Sequence, residues 1–170
     1  IVKRGESHAE HTAKVLRTYG TSESAAHCAQ AIIDISGVPQ EFPEAVLTQA
    51  RRCEKRGILP EDLEGRRDLR DEIIFTIDGA DSKDLDDAIS IDKTEEGWLL
   101  GVHIADVSHY VTAGSPLDEE AFSRGTSIYF ADRVIPMLPP ELSNGICSLN
   151  PGEDRLAFSC FMRLSPEGAL

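Results

Sequence analysis

The spacing of apolar residues predicts two helices in the first third of the chain. Ser22 and Ser24 can cap the start of the first helix, and Gly37 can end it. Its apolar positions recur at helical spacing: Ala25, Ala29, Ile32 and Ile33. The second helix begins at Pro43 and ends near residues 56–57, with one apolar face formed by Val46, Leu47 and Ala50.

From residue 73 onward the pattern changes from helical to extended. The run 73–77 reads Ile-Ile-Phe-Thr-Ile, which is typical of a buried strand. Shorter strands are predicted at 88–91 and 98–104, and a further apolar run spans 156–164. A third helix, capped by Ser115, is predicted at 116–123, whereas the prolines of 135–140 disfavour regular structure there.

The order of these elements indicates an α+β protein in three parts. Residues 1–20 contain a β-prone stretch at 13–19, which we expect to be the last strand of an upstream domain. Residues 21–60 form a helical connector, and the main domain covers 61–170. Because the chain begins without methionine and ends on a strand and a turn, half of a hairpin, we expect a fragment of a longer protein.

Composition excludes several classes of protein. Hydrophobic residues make up 41% of the 170, which excludes wholesale disorder. No apolar run approaches the roughly 18 residues of a transmembrane helix, and no secretory signal is visible, so we expect no membrane partner. The widely spaced cysteines favour reduced thiols and a cytoplasmic location: Cys28, Cys53, Cys147 and Cys160.

The net charge of −13 is the wrong sign for gripping nucleic acid through phosphate neutralisation alone. Residues 61–96 hold 14 acidic and 5 basic side chains, and therefore 9 of the 13 excess negative charges. The basic side chains concentrate between residues 51 and 70, where either a solvated, structural surface or a phosphate-contacting patch is possible.

The most informative segment follows the predicted strand 73–77. It carries five aspartates within ten residues: Asp78, Asp81, Asp84, Asp86 and Asp87. Close exposed like charges repel each other by roughly a kcal/mol per pair, so we expect a divalent cation to offset the repulsion. Carboxylates without His or Cys favour Mg²⁺, Mn²⁺ or Ca²⁺ over zinc.

Two familiar aspartate motifs do not fit this segment. An EF-hand loop starting at Asp84 needs an acid or amide at its fifth position, where Ala88 stands. A D-x-D phosphatase nucleophile needs an acid at position 80, which is alanine. The remaining pattern suits a carboxylate cage for one or two ions, with a solvated acidic turn as the alternative.

Three motifs together resemble the ribonuclease II/ribonuclease R family, with the bacterial ribonuclease R branch nearest. They are DGADSKDLDDA at 78–88, GVHIADVSHYV at 101–111, and VIPMLP with LSNGICSLN across 134–150. The resemblance implies that residues 61–170 are the N-terminal part of an RNB-type catalytic domain, a mixed β-sheet flanked by helices. Residues 1–20 resemble the end of a cold-shock-type barrel.

This resemblance also implies a function. The family hydrolyses RNA processively from the 3′ end to nucleoside 5′-monophosphates with Mg²⁺, for which Mn²⁺ can substitute. The implied catalytic metal ligands are Asp78, Asp84, Asp86 and Asp87, and loss of Asp86 should damage the chemistry most. Tyr129 matches the aromatic residue that stacks on the terminal base. The implied partners are the single-stranded RNA 3′ end and the missing cold-shock and S1-type domains of the same protein, without which the fragment is expected to be inactive.

Two other functions remain as alternatives: a catalytically idle RNA-binding or regulatory member of the family, and a non-enzymatic Ca²⁺-binding module. Structural roles are predicted for the remaining polar candidates and for one cysteine. His103 and His109 are expected to be packed or hydrogen-bonded, Asp106 to pin a turn, and Cys147 to fill the core. A metal role is not expected for His8 and His11.

Overall fold

The computed structural model describes residues 13–170, which divide into two compact units at Pro39 and Gln40. His8, His11 and most of the predicted barrel end lie outside the described residues. No helix of the described chain has both the length and the apolar character needed to cross a membrane.

The first unit contains one helix, α1 (Ala25–Ser36), as predicted. The Ser24 hydroxyl accepts the His27 N–H at its start, and Gly37 ends it in the left-handed conformation with φ 68°. The β-prone stretch 13–19 has no strand pairing here. Tyr19 instead donates a hydrogen bond to Asp34 of α1 (2.7 Å). Its assignment to a barrel stays a prediction.

The second unit combines short helices with two small sheets. Its helices are α2 (Glu44–Arg56), a 3-10 turn (Pro60–Leu63), α3 (Val107–Tyr110), α4 (Pro116–Arg124) and a π-helical turn (Glu141–Ile146). Its strands are β1 (Asp87–Thr94), β2 (Gly97–Ala105), β3 (Ile128–Tyr129), β4 (Val134–Ile135) and β5 (Ala157–Leu164). The predicted α+β class is confirmed.

The larger sheet has the order β1-β2-β5, and β3 pairs with β4 in the smaller one. A mixed sheet was expected, yet every described pairing is antiparallel. For β1 and β2 the reason is local, because residues 95–96 join these two strands in a tight hairpin. The register places Asp87, the first residue of β1, opposite Ile104 near the end of β2.

The core lies where the end of β2 meets the helices. Ala105 of β2 packs in one cluster with buried residues of α2, α3, α4 and the π-helical turn: Val46, Ala50, Tyr110, Leu117, Leu142 and Ile146. Leu142 is fully buried at 0% exposure. This cluster supports the end of the sheet at which the aspartates lie.

The prediction of a buried strand at 73–77 is wrong. Only Phe75 pairs with β1, through two hydrogen bonds to Ile89 (3.0 and 2.9 Å). Ile73 and Ile77 are 85% and 80% exposed. The physical reason is that the sheet face beside this segment is itself uncovered in the described chain, so that Ile104 and its cross-strand partner Phe158 are exposed too.

Truncation of the core should destabilise the second unit. We expect Leu142→Ala to cost about 2–5 kcal/mol, because the buried leucine leaves a cavity that its neighbours fill only partly. Urea unfolding measures this loss. The control is Leu63→Ala at a half-exposed position, which should change stability by about 0.5 kcal/mol or less. Equal losses in the two variants would contradict the assigned core.

Candidate active site

Residues 78–87, here called the aspartate loop, lead from the segment of Phe75 to β1. The pairing of Phe75 with Ile89 is called the Phe75 bridge. The loop has no helix or strand apart from Asp87, its last residue and the first of β1. A turn closes its first part, in which the Ser82 N–H donates to the Gly79 carbonyl oxygen (3.0 Å). A segment with so little internal hydrogen bonding takes its shape from contacts with other parts of the chain.

Two segments distant in sequence hold the second half of the loop by backbone hydrogen bonds. The Ala105 N–H at the end of β2 donates to the Asp86 carbonyl oxygen (2.9 Å), and the Leu149 N–H donates to the Leu85 carbonyl oxygen (2.8 Å). The second and third sequence motifs therefore both meet the first one at its backbone.

A buried serine adds a further contact. The Ser148 hydroxyl is 2.8 Å from the Lys83 carbonyl oxygen and accepts the Leu85 N–H at 3.1 Å. Arg155 in turn donates from Nε to the Ser148 carbonyl oxygen (2.7 Å). Sequence reasoning missed both residues as parts of the site. The only signal available was the place of Ser148 inside the third motif.

The carboxylates of the loop act on one another electrostatically. Partial desolvation of the Asp86 carboxyl group raises its pKa, and the negative charges of Asp84, Asp87 and Asp78 raise it further. Asp86 remains exposed as a residue, so water still reaches it. The structure therefore brings all four predicted ligands within electrostatic reach of one position.

The same four side chains do not form a closed metal site as they stand. Within residues 13–170, no three His, Cys, Asp or Glu side chains are arranged so that they could hold an ion. Repulsion between carboxylates favours such a spread arrangement. The donor chemistry nevertheless fits a divalent cation such as Mg²⁺ or Mn²⁺, because all four side chains offer hard carboxylate oxygens and one of them, Asp86, has a raised pKa.

Tyr129 lies beside the aspartates, although 45 residues separate it from Asp84. It ends the two-residue strand β3, the residue is 63% exposed, and its hydroxyl donates a hydrogen bond to Asp84. This hydrogen bond is the main cause of the raised pKa of Tyr129. An aromatic face is thus open to solvent next to a predicted metal ligand.

Structural roles are confirmed for the other polar candidates. His103 is buried and bridges the hydroxyls of Ser90 (3.1 Å) and Ser159 (2.8 Å), so that one polar chain crosses all three strands. Asp106 accepts hydrogen bonds from Arg66 (2.6 Å) and Ser108 (2.9 Å) at the turn after β2. His109 contacts Asp62 (3.3 Å), and Cys147 is a buried core residue.

Many basic side chains of the stretch 51–70 form ion pairs with acidic residues of the same chain. Arg56 pairs with Asp62 (2.7 Å) and lowers the pKa of that carboxyl to about 2 through its hydrogen bonds. Further ion pairs are Arg66–Asp106, Arg67–Glu72 and Arg70–Asp68. Of the two interpretations of this stretch, the structure favours a structural, ion-paired surface.

Comparison with known proteins identifies what the chain resembles. Residues 66–170 match the family described as the RNB domain. Ribonuclease R 1 of Lactococcus lactis subsp. lactis is 60% identical over 133 residues, which are 77% of this chain and 16% of that relative. The chain thus spans less than a fifth of that protein's length.

Solved structures give the same result. RNase R of Mycoplasma genitalium in complex with double-stranded RNA aligns with a TM-score of 0.81 and 34% identity, over 89% of this chain and 27% of that one. The same protein in complex with ribose methylated single-stranded RNA also gives a TM-score of 0.81 at 34% identity, over 89% of this chain and 23% of that one.

The charge coupling in the loop can be measured directly. In metal-free protein we expect the pKa of Asp86 to lie above its ordinary value of 3.8, because the carboxyl is partly desolvated and three negative charges face it. Asp84→Asn removes one of these charges and should lower the pKa of Asp86. Carboxyl chemical shifts followed by NMR across pH 3–7 report the titration.

Asp81→Asn is the matched control for this titration. It removes a charge from the same loop that is not among those acting on Asp86, so the pKa of Asp86 should stay unchanged. An Asp86 that titrates at or below 3.8, or that responds equally to both variants, would refute the arrangement described above.

Proposed function

The chain belongs to the RNB-domain family and is a relative of bacterial ribonuclease R, and from this premise we propose that it is part of a processive 3′-to-5′ exoribonuclease. The family match and the relatives described above confirm the resemblance inferred from the three motifs. The proposed reaction is hydrolysis of RNA to nucleoside 5′-monophosphates. The observation that carries the proposal is that three motif aspartates, Asp84, Asp87 and Asp78, act electrostatically on the fourth, Asp86, whose pKa is raised first by partial desolvation and further by these charges.

We propose that these carboxylates bind Mg²⁺, or Mn²⁺ in its place: Asp78, Asp84, Asp86 and Asp87. When bound, such ions supply an activated water and stabilise charge on the leaving 3′ oxygen. Asp86, on which the charges of the other three act, is the ligand whose loss should be most damaging. A cation would relieve the repulsion that raises the pKa of Asp86, which supports this assignment.

Tyr129 is proposed to bind the RNA 3′ end. Its exposed ring offers a face on which any base can stack, which suits an enzyme without sequence preference. Its hydroxyl holds Asp84, so the stacked nucleotide and a metal ligand lie next to each other. The M. genitalium RNase R structures that contain RNA support RNA as the ligand of the family's domain.

We propose that this chain alone is inactive and acts together with further domains of a longer protein, of the cold-shock and S1 types. Two observations support this: the carboxylates as placed form no closed ion site within the described chain, and the net charge of −13 opposes RNA binding. We place the protein in the reducing cytoplasm, which the four free cysteines support.

The decisive variant is Asp86→Asn in the full-length protein. Because the amide keeps the shape but loses the charge, we expect hydrolysis of 5′-labelled single-stranded RNA to stop while RNA binding survives. Time-resolved gels of the products measure hydrolysis, and gel shifts measure binding. Asp81→Asn, in the same loop, is the control and should remain active.

Three outcomes of this assay count against the proposal. Equal loss of binding and hydrolysis in Asp86→Asn would contradict the assigned role of that residue. RNA retained intact by the wild-type protein with Mg²⁺ present would indicate the idle, RNA-binding alternative. RNA that the wild-type protein neither binds nor hydrolyses, although the protein binds a divalent cation, would indicate the Ca²⁺-binding module.

Stacking by Tyr129 can be separated from its hydrogen bond. In the non-hydrolysing Asp86→Asn background, Tyr129→Ala should weaken binding of single-stranded RNA by about 1–3 kcal/mol, the value of one base stacked on an aromatic ring. Tyr129→Phe keeps the ring and should bind nearly as well as the parent. Fluorescence anisotropy at fixed salt measures both. If Phe and Ala are equally weak, the hydroxyl is responsible and the stacking role is wrong.

A further inference from the structure

We infer that Ser148 is the positioning residue of the aspartate loop and that it acts through the backbone on both sides of Asp84. The inference deepens the proposed function, on which it rests, because it names a residue outside the loop that sets where the metal-binding carboxylates lie. Ser148 lies 64 positions after Asp84 and touches none of the carboxylates it would position.

The Ser148 hydroxyl acts as hydrogen-bond donor and as acceptor toward the same loop. It accepts the Leu85 N–H at 3.1 Å and lies 2.8 Å from the Lys83 carbonyl oxygen, to which its proton can be donated. Lys83 and Leu85 are the two neighbours of Asp84. One side chain therefore fixes the peptide groups on either side of a predicted ligand.

The hydroxyl is itself held in place. Ser148 is 0% exposed, so water does not compete for its hydrogen bonds. Its carbonyl oxygen accepts from Arg155 Nε (2.7 Å), and a second nitrogen of the same guanidinium donates to the Gly145 carbonyl oxygen (3.1 Å). The Asn150 side-chain oxygen also lies 3.2 Å from the hydroxyl.

Leu149, the residue after Ser148, adds a backbone contact to the same loop residue. The Leu149 N–H donates to the Leu85 carbonyl oxygen (2.8 Å), so both polar backbone groups of Leu85 bond to consecutive residues of one segment. Asp86 follows directly and is bonded to the end of β2. Repulsion between the carboxylates acts to open the loop, and Ser148 holds residues 83–85, which precede the residue bonded to β2.

Ser143 provides a matched control in the same segment. Ser143 is half-buried, whereas Ser148 is fully buried, and the Ser143 hydroxyl contacts the Pro139 carbonyl oxygen (3.5 Å) and the Asn144 side chain (3.2 Å) instead of the aspartate loop. A substitution there perturbs the π-helical turn and leaves the contacts of Lys83 and Leu85 in place.

The test measures hydrogen exchange of single amides by NMR in the 170-residue chain. In Ser148→Ala the Leu85 amide should exchange about tenfold faster, because it loses its partner. The amide of Ile89, a residue of β1, donates to the Phe75 carbonyl oxygen and should keep its wild-type exchange rate in the same variant. Ser143→Ala should leave both amides unchanged.

A second readout follows the site itself. Binding of Mn²⁺, measured by water-proton relaxation, should weaken about tenfold in Ser148→Ala, the loss typical when an outer residue that orients ligands is removed. It should be unchanged in Ser143→Ala. If Ser148→Ala does not fold, Ser148→Cys keeps a similar volume with weaker hydrogen bonds and takes its place in both measurements.

The possible results separate the inference from the proposed function. Unchanged protection of Leu85, or equal acceleration of Leu85 and Ile89, would overturn the positioning role, since the second result means general destabilisation. If the full-length wild-type protein binds no Mn²⁺ while Leu85 alone is released in Ser148→Ala, Ser148 still positions the loop and the proposed metal site has failed.

Discussion

Repulsion among the carboxylates of the aspartate loop is the constraint to which the surrounding structure responds. The carboxyl of Asp86 is partly desolvated and lies within electrostatic reach of three other negative charges, and both effects raise its pKa. Neighbouring arginines are directed to other acids, as in the pairs Arg66–Asp106 and Arg70–Asp68. The negative charge of the loop is thereby left for a cation. The repulsion between the carboxylates is offset by contacts between the loop and the rest of the second unit.

Three parts of the second unit hold the backbone of the aspartate loop and its neighbours. The Phe75 bridge precedes the loop, β2 holds Asp86, and the segment 148–149 holds Leu85. Each of these contacts depends on a feature of the fold that lies further away. The register of β2 is pinned by the polar chain through His103, and the segment 148–149 rests on the core cluster around Leu142. The order of the loop therefore reflects the stability of the whole second unit.

Much of the local structure could be predicted from the sequence, because it depends on neighbours in the chain. The caps Ser24 and Ser115 and the apolar spacing of the helices placed α1, α2 and α4 correctly. The strands that became β1 and β2 were likewise found. The run 73–77 was misjudged, because its apolar composition predicts burial but says nothing about whether another element covers it.

The candidate site could be predicted only in part. Its carboxylates lie within ten consecutive residues and stand out by their charge, and Tyr129 was found through the family resemblance. The hydroxyl of Ser148 could not be found in this way, because a contact from a side chain to the backbone across 63 residues leaves no spacing pattern. Likewise, only the folded chain shows that the arginines of the basic stretch are paired.

The central claim is that the aspartate loop is a metal-binding segment whose backbone is already in place. A crystal structure of the chain grown with Mn²⁺ and measured at the manganese absorption edge tests it most directly. The account predicts an anomalous peak among Asp78, Asp84, Asp86 and Asp87, with the hydrogen bonds of Ser148 to the loop retained. A peak elsewhere, or a loop that has left Ser148 in order to bind the ion, would contradict it.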